Sequence, residues 1–116
     1  MHELSIAIEI TEIAEEAAKA EGAESISKVE LEIGILSGIE LDALKFAMTE
    51  AIRNTMLENS EIVYHVIKGL AVCELCCNEF ETDDHFKACP YCNSLQTNFL
   101  KGKELNIKTI DIEINA

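Results

Sequence analysis

Tryptophan is absent from this 116-residue chain, proline occurs once, and aromatic residues make up only 5%. A core built on large rings is therefore excluded, and packing must come from Ile, Leu, Val, Met and Ala. Bases are scarce as well: 9 Lys and Arg stand against 22 Asp and Glu, a net charge of −13. The deficit is no tail, because residues 1–68, 69–102 and 103–116 are each acidic. Phosphate contacts supply most nucleic-acid affinity, so nine scattered bases argue against a DNA or RNA partner, and against anionic membrane surfaces. No run approaches the roughly 18 consecutive apolar residues of a membrane span. Met1-His2-Glu3 lacks the basic and apolar regions of a secretory signal. There is no Gly-rich phosphate loop, no Ser/His/Asp signature and no open Cys/His metal set, so an enzyme is not expected. The expectation is a soluble, acidic, cytoplasmic protein.

What is present is patterned. Ile6, Ile10, Ile13 and Ala17 recur at helical spacing within residues 5–20, with Glu12, Glu15 and Lys19 opposite and Gly22 as the stop. Val29, Leu31, Ile33 and Ile35 then alternate with Lys28, Glu30, Glu32 and Gly34, the mark of a strand with one wet face. Ser37 and Glu40 fit a capping box opening a second helix, with Leu41, Leu44, Met48 and Ala51 as its buried stripe and Asn59 as its stop. Residues 61–68 read as a second strand, apolar on both faces apart from His65, which is expected to be packed or at a sheet edge. A third strand carries Ile110, Ile112 and Ile114, while Leu105 and Ile107 have the other parity, so a register change is expected near Lys108.

The last 14 residues are too few to fold alone, so their strand must pair with an earlier one. The predicted architecture is α+β: a small α/β domain of two helices and a three-stranded mixed sheet, 1–68 plus 103–116. A four-cysteine module, 69–102, is inserted into it.

Five cysteines is an odd number, which argues for metal thiolates in a reducing compartment over a disulfide framework. Cys73-x2-Cys76 and Cys89-x2-Cys92 are separated by twelve residues. Two-residue spacing lets a tight turn point both sulfurs at one ion while backbone amides face the thiolates. Four soft sulfurs suit zinc, or iron in a rubredoxin-like site, and a closed set leaves no vacancy for substrate. Zinc is preferred over iron because the segment is poor in the aromatic packing that shields an electron carrier. The module's small core is expected to use Leu75, Phe80, Phe86, Leu95 and Phe99. Cys77 competes with Cys76 for the first knuckle, although the matching spacing of the second pair favours Cys76. His85, in the loop between the pairs, is read as a solvent-exposed histidine, with a role beside the metal or as an alternative ligand as the other reading.

The N-terminal tripeptide offers a second, different chemistry. The α-amine of Met1 and the amide and imidazole nitrogens of His2 can close two fused chelate rings, and the amide of Glu3 can add a fourth nitrogen. Four nitrogens in a plane suit Ni(II) and Cu(II). Glu3 and Glu40 also have plain structural roles, as acids at helix starts.

Met1-His2-Glu3, the helix–strand–helix–strand order, Cys73-x2-Cys76-x12-Cys89-x2-Cys92 and a closing strand together resemble the HypA/HybF family of hydrogenase nickel-incorporation proteins. The resemblance covers essentially the whole chain, and Cys77 is its departure from the family pattern. It implies a nickel metallochaperone with labile nickel(II) at Met1, His2 and Glu3, a supporting acid at Glu40, and structural zinc(II) on Cys73, Cys76, Cys89 and Cys92. It implies a HypB-type GTPase and the hydrogenase large subunit as partners, with urease maturation proteins in some members. A zinc-ribbon protein-interaction module without a nickel role is the alternative reading, and a homodimer stays open.

Overall fold

The computed structural model describes residues 2–114. Its elements run α1 (His2–Ala20), β1 (Ser25–Gly34), α2 (Leu41–Ala51), β2 (Glu61–Ile67), β3 (Leu70–Cys73), β4 (Glu79–Glu81), β5 (Thr97–Lys101) and β6 (Leu105–Glu113). They form two three-stranded sheets, ordered β2-β1-β6 and β4-β3-β5. The chain divides into two compact units: unit 1 is 1–31, 39–65 and 106–116, and unit 2 is 32–38 and 66–105.

In unit 1, α1 begins at His2, not after it as the sequence reading had it. The helix ends as expected, in a Schellman-type cap: Ala23 N–H reaches Ala18 O, Gly22 N–H reaches Lys19 O, and Gly22 takes φ 74°. Its buried face differs from the predicted stripe. Ala7, Ile10, Thr11, Ala14 and Ala18 point inward, whereas Ile13 is 49% exposed. Small residues fill the centre of the contact, so the helix can approach closely, and the bulkier isoleucines flank it. Thr11 is tolerated there because its hydroxyl donates to Ala7 O at 2.8 Å.

Helix α2 packs on α1 through Leu44, Ala47 and Met48. Glu3 meets Glu40, and Glu15 accepts from Met56 N–H at 3.0 Å, so the two segments run side by side in the same direction. The predicted capping box is corrected: Glu40, not Ser37, is the N-cap, its own carboxylate accepting from Asp42 and Ala43 N–H. The predicted stop at Asn59 is also too late. The helix ends at Ala51, the chain then turns through Asn54 at φ 60°, and Thr55 binds back to Ile52 O. Leu57, in that turn, is fully buried.

Strand β1 is central and buries Val29, Leu31 and Ile33 as predicted, but it stops at Gly34 and leaves Ile35 exposed. The sheet is mixed. Ser60 binds Ile26 O and His65 meets Glu30, contacts that advance together along β1 and β2. Across β6 they run oppositely, Glu24 N–H to Glu113 O and Ser27 to Asp111 O. Along β6 the half-buried positions change from Ile107 and Thr109 to Ile110 and Ile112, next to the predicted point at Lys108. Ile114 lies beyond the strand and is exposed.

Unit 2 is an antiparallel sheet with β3 in the middle, Ala71 facing Phe80 on β4 and Phe99 on β5. Four backbone segments approach closely within it, at Gly34, Gly69, Thr82 and Gly102. A Cβ on Gly34 would lie 1.9 Å from Gly102 O, and one on Gly69 would lie 1.9 Å from Thr82 O. Neither position can carry a side chain without moving main chain.

Candidate metal centre

The core of unit 2 is Ala71, Cys73, Phe80 and Cys89, with Cys76 and Phe99 packed against it. Three of the expected core residues are therefore outside: Leu75, Leu95 and Phe86 are exposed, Phe86 at 87%. A module this small cannot cover five large side chains, and the cysteine cluster takes the place of a hydrophobic centre.

Both knuckles fold the same way. Cys77 N–H bonds Cys73 O and Cys73 N–H bonds Asn78 O; Asn93 N–H bonds Cys89 O and Cys89 N–H bonds Ser94 O. The fifth residue of each turn, Cys77 or Asn93, has φ 63°. That equivalence assigns Cys77 its place: it is the left-handed corner of the first knuckle, exposed, and outside the sulfur cluster.

The sulfurs of Cys73, Cys76, Cys89 and Cys92 all lie within 4.8 Å of one another. Cys73 and Cys92 are 3.5 Å apart and Cys76 and Cys89 3.6 Å, far beyond a disulfide bond of ~2.05 Å. A tetrahedron with metal–sulfur bonds of ~2.3 Å places its sulfurs about 3.8 Å apart, so the donor set fits one tetrahedral ion. The Cys76 amide, 3.5 Å from Cys73 Sγ, is the main influence holding the Cys73 thiol down near 6, with the Leu75 amide helping against burial. For Cys92 the Ser94 amide pulls the same way but is overridden by Cys73, by burial and by the other two sulfurs, which push it up to about 12. Four clustered sulfurs cannot all ionise by themselves; a cation among them removes that conflict. Asn78 Nδ2 adds a donor to Cys76 Sγ at 3.4 Å.

The residues assigned to the N-terminal site are described unevenly. Met1 and the side chain of His2 lie outside the described residues. Glu3 Oε2 accepts from Glu40 N–H at 3.4 Å, and the Glu40 carboxylate caps α2 through Ala43 N–H at 2.7 Å and Asp42 N–H at 3.3 Å. The two acids thus meet where α1 and α2 begin.

Neither His65 nor His85 is a member of the cysteine cluster. His85 is solvent-exposed as expected, and it donates through Nε2 to Leu36 O at 3.0 Å and stands edge-on to Phe99. His65, on the sheet edge, pairs with Glu30 at 2.7 Å, and Glu30 also accepts from Thr109 Oγ1 at 2.6 Å. The Thr109 hydrogen bond first, then His65, lower the Glu30 carboxyl from 4.5 to about 2. This three-strand polar tie was not foreseen, because it depends on a cross-strand register that local spacing does not reveal.

A two-helix α/β unit and a ribbon with four convergent thiolates define a metal-binding protein of small α+β type. The comparisons specify it further. The family model described as "Hydrogenase/urease nickel incorporation, metallochaperone, hypA" matches residues 1–112. A hydrogenase maturation factor HypA of Parabacteroides distasonis is 45% identical over 113 residues, covering 97% of this chain and 98% of that one. One from Chlorobium phaeobacteroides is 40% identical, covering 97% and 100%. The solution structure of the Ni metallochaperone HypA from Helicobacter pylori shares the fold, with a TM-score of 0.70 at 19% identity over 97% of this chain and 98% of that one. The chain belongs to the HypA family of hydrogenase/urease nickel-incorporation metallochaperones. Its relatives are named maturation factors or metallochaperones, not catalysts. No helix among the described residues is long and apolar enough to cross a membrane.

Proposed function

We propose that this protein binds Ni(II) at its free N-terminus and delivers it during [NiFe]-hydrogenase maturation, while a separate zinc(II) holds the ribbon together. The nickel donors are the Met1 α-amine, the His2 amide and imidazole and the Glu3 amide; Glu40 supports the site. The zinc ligands are Cys73, Cys76, Cys89 and Cys92. The division of labour follows 1–68 plus 103–116 for nickel and 69–102 for zinc. The protein works in the cytoplasm, where thiols stay reduced, and hands nickel on with a HypB-type GTPase to the hydrogenase large subunit, and to urease maturation where that enzyme is present.

One observation supports the nickel reading: Glu3 and Glu40 meet at the start of α1, one residue beyond His2. Helix geometry adds support. The first four N–H groups of a helix have no intrahelical acceptor, so the amides of His2 and Glu3 are free of helix bonds that a metal would have to break. Zinc is preferred at the ribbon because four thiolates make a closed tetrahedral site with no open position. Metal analysis of untagged protein before and after nickel loading tests the reading. One tightly held zinc with reversibly added nickel is expected. Two identical tight zincs, or a zinc-loaded protein that takes up no nickel, would instead make the chain a zinc-ribbon interaction module.

A further inference from the structure

Three adjoining cavities of about 330, 400 and 230 Å³ form a trough in unit 2, the first two sharing Lys68, Gly69 and Glu81 and the last two sharing Lys101. Their lining inverts the charge balance of the chain. Lys68, Lys87, Lys101 and Lys103 are four of its nine bases, whereas Glu81, Asp83 and Glu104 are three of its 22 acids. Lys68, Lys87 and Lys101 are exposed and have no ion-pair partner among the described residues. Lys103 is held over the Phe99 ring, 4.7 Å from its centroid. The same cavities are lined by apolar side chains left about half exposed, Ile35 at 49% and Val66 and Leu100 at 51% each.

We propose that this trough docks an extended acidic segment of a partner protein, with carboxylates on the lysines and alternate apolar side chains on Ile35, Val66 and Leu100. Charge complementarity selects the occupant. An acidic segment is repelled by the rest of a −13 chain and is drawn to the surface where bases outnumber acids. The half-exposed aliphatic groups of Ile35, Val66 and Leu100 offer a phosphate backbone little and suit a segment whose carboxylates alternate with apolar side chains. Lysine also protects sheet edges from unwanted pairing, which accounts for Lys101 at the end of edge strand β5. It does not account for Lys68 and Lys87 around an open cavity.

The proposal is independent of nickel and is tested on the full-length zinc-loaded protein without it. The probe is a capped nonapeptide alternating Val and Glu, followed by amide NMR shifts. Its controls are the Val/Lys counterpart and a single-stranded oligonucleotide. Shifts confined to 34–36, 66–70, 81–87 and 99–104, weakening as ionic strength rises, are expected for the Val/Glu peptide only. The double variant Lys68→Glu/Lys101→Glu should weaken binding by about tenfold or more, and Lys68→Gln/Lys101→Gln by less. Lys68 and Lys101 are both exposed, so native shifts elsewhere verify folding. Equal binding of the Val/Lys peptide, binding unaffected by charge reversal, or no shifts at all would overturn the proposal. Oligonucleotide shifts in the trough would reassign it to nucleic acid. Shifts that grow with protein concentration alone would make the occupant a second copy of this chain.

Discussion

Glu40→Ala removes at one stroke the two acceptors at the start of α2, the short one to Ala43 N–H at 2.7 Å and the longer one to Asp42 N–H at 3.3 Å. Replacing an N-cap by Ala typically costs about 1 kcal/mol. Losing a negative charge beside the helix N-terminus adds about 0.3–1 kcal/mol at an exposed site. The sum, about 1–2 kcal/mol, lowers Tm by roughly 4–8 °C in a domain of this size. Glu40→Ser keeps a cap without the charge and should recover most of that loss. Circular dichroism melts of zinc-loaded protein measure both. The same two variants report on nickel: a carboxylate that supports the metal is missing from each, so each should bind nickel more weakly, whatever its Tm. An unchanged Tm in Glu40→Ala would refute the capping argument. Full nickel affinity in both variants would reduce Glu40 to a helix cap.

Cys73→Ala and Cys92→Ala should each lose zinc and the dispersed NMR signals of 69–102 while keeping most of the helical signal, as metal analysis and spectra will record; full zinc in both would exclude the four-thiolate site. Cys77→Asn should leave zinc unchanged and stabilise by about 0.5–1 kcal/mol, because asparagine accepts the φ of 63° more readily than cysteine does; loss of zinc there would reverse the ligand assignment. The Glu30 carboxyl, lowered from 4.5 to about 2, favours the native state fully above about pH 4.5, and this contribution fades as pH falls through 2. Denaturant unfolding of Glu30→Gln should therefore show a flatter pH dependence in that window than wild type, and identical slopes would count against the tie to Thr109 and His65.

Strand β1 and the four-cysteine cluster were both legible from short-range spacing, β1 from a period of two and the cysteines from two matching C-x2-C pairs, which leave few alternatives. Helix α1 was legible as a helix but not in its inward face, since Ala7, Ala14 and Ala18 carry a weak hydropathy signal and bury by virtue of small size. The start of α2 was placed three residues early, at Ser37, because a glutamate serving as its own N-cap imitates the last position of a capping box. The exclusion of Cys77 rested on spacing in the sequence; the reason emerges only in three dimensions, from the left-handed corner it shares with Asn93. His65 was legible as packed or at a sheet edge and lies on edge strand β2, but its tie to Glu30 and Thr109 was beyond reach. Thr109 is 79 positions from its partner, and only the pairing of β1 with β6 brings them within 2.6 Å.

Nickel titration of three proteins tests the central claim most directly: the untagged chain, His2→Ala, and a form extended by one residue before Met1, all with zinc occupancy held equal. Extension turns the terminal amine into a peptide amide, and His2→Ala removes the imidazole. The untagged chain should bind one Ni(II) as a yellow, diamagnetic planar complex that is lost on acidification, since protons compete for amine and amide. The other two should lose specific binding while keeping zinc and the helical signal. Equal nickel affinity in all three would contradict the account.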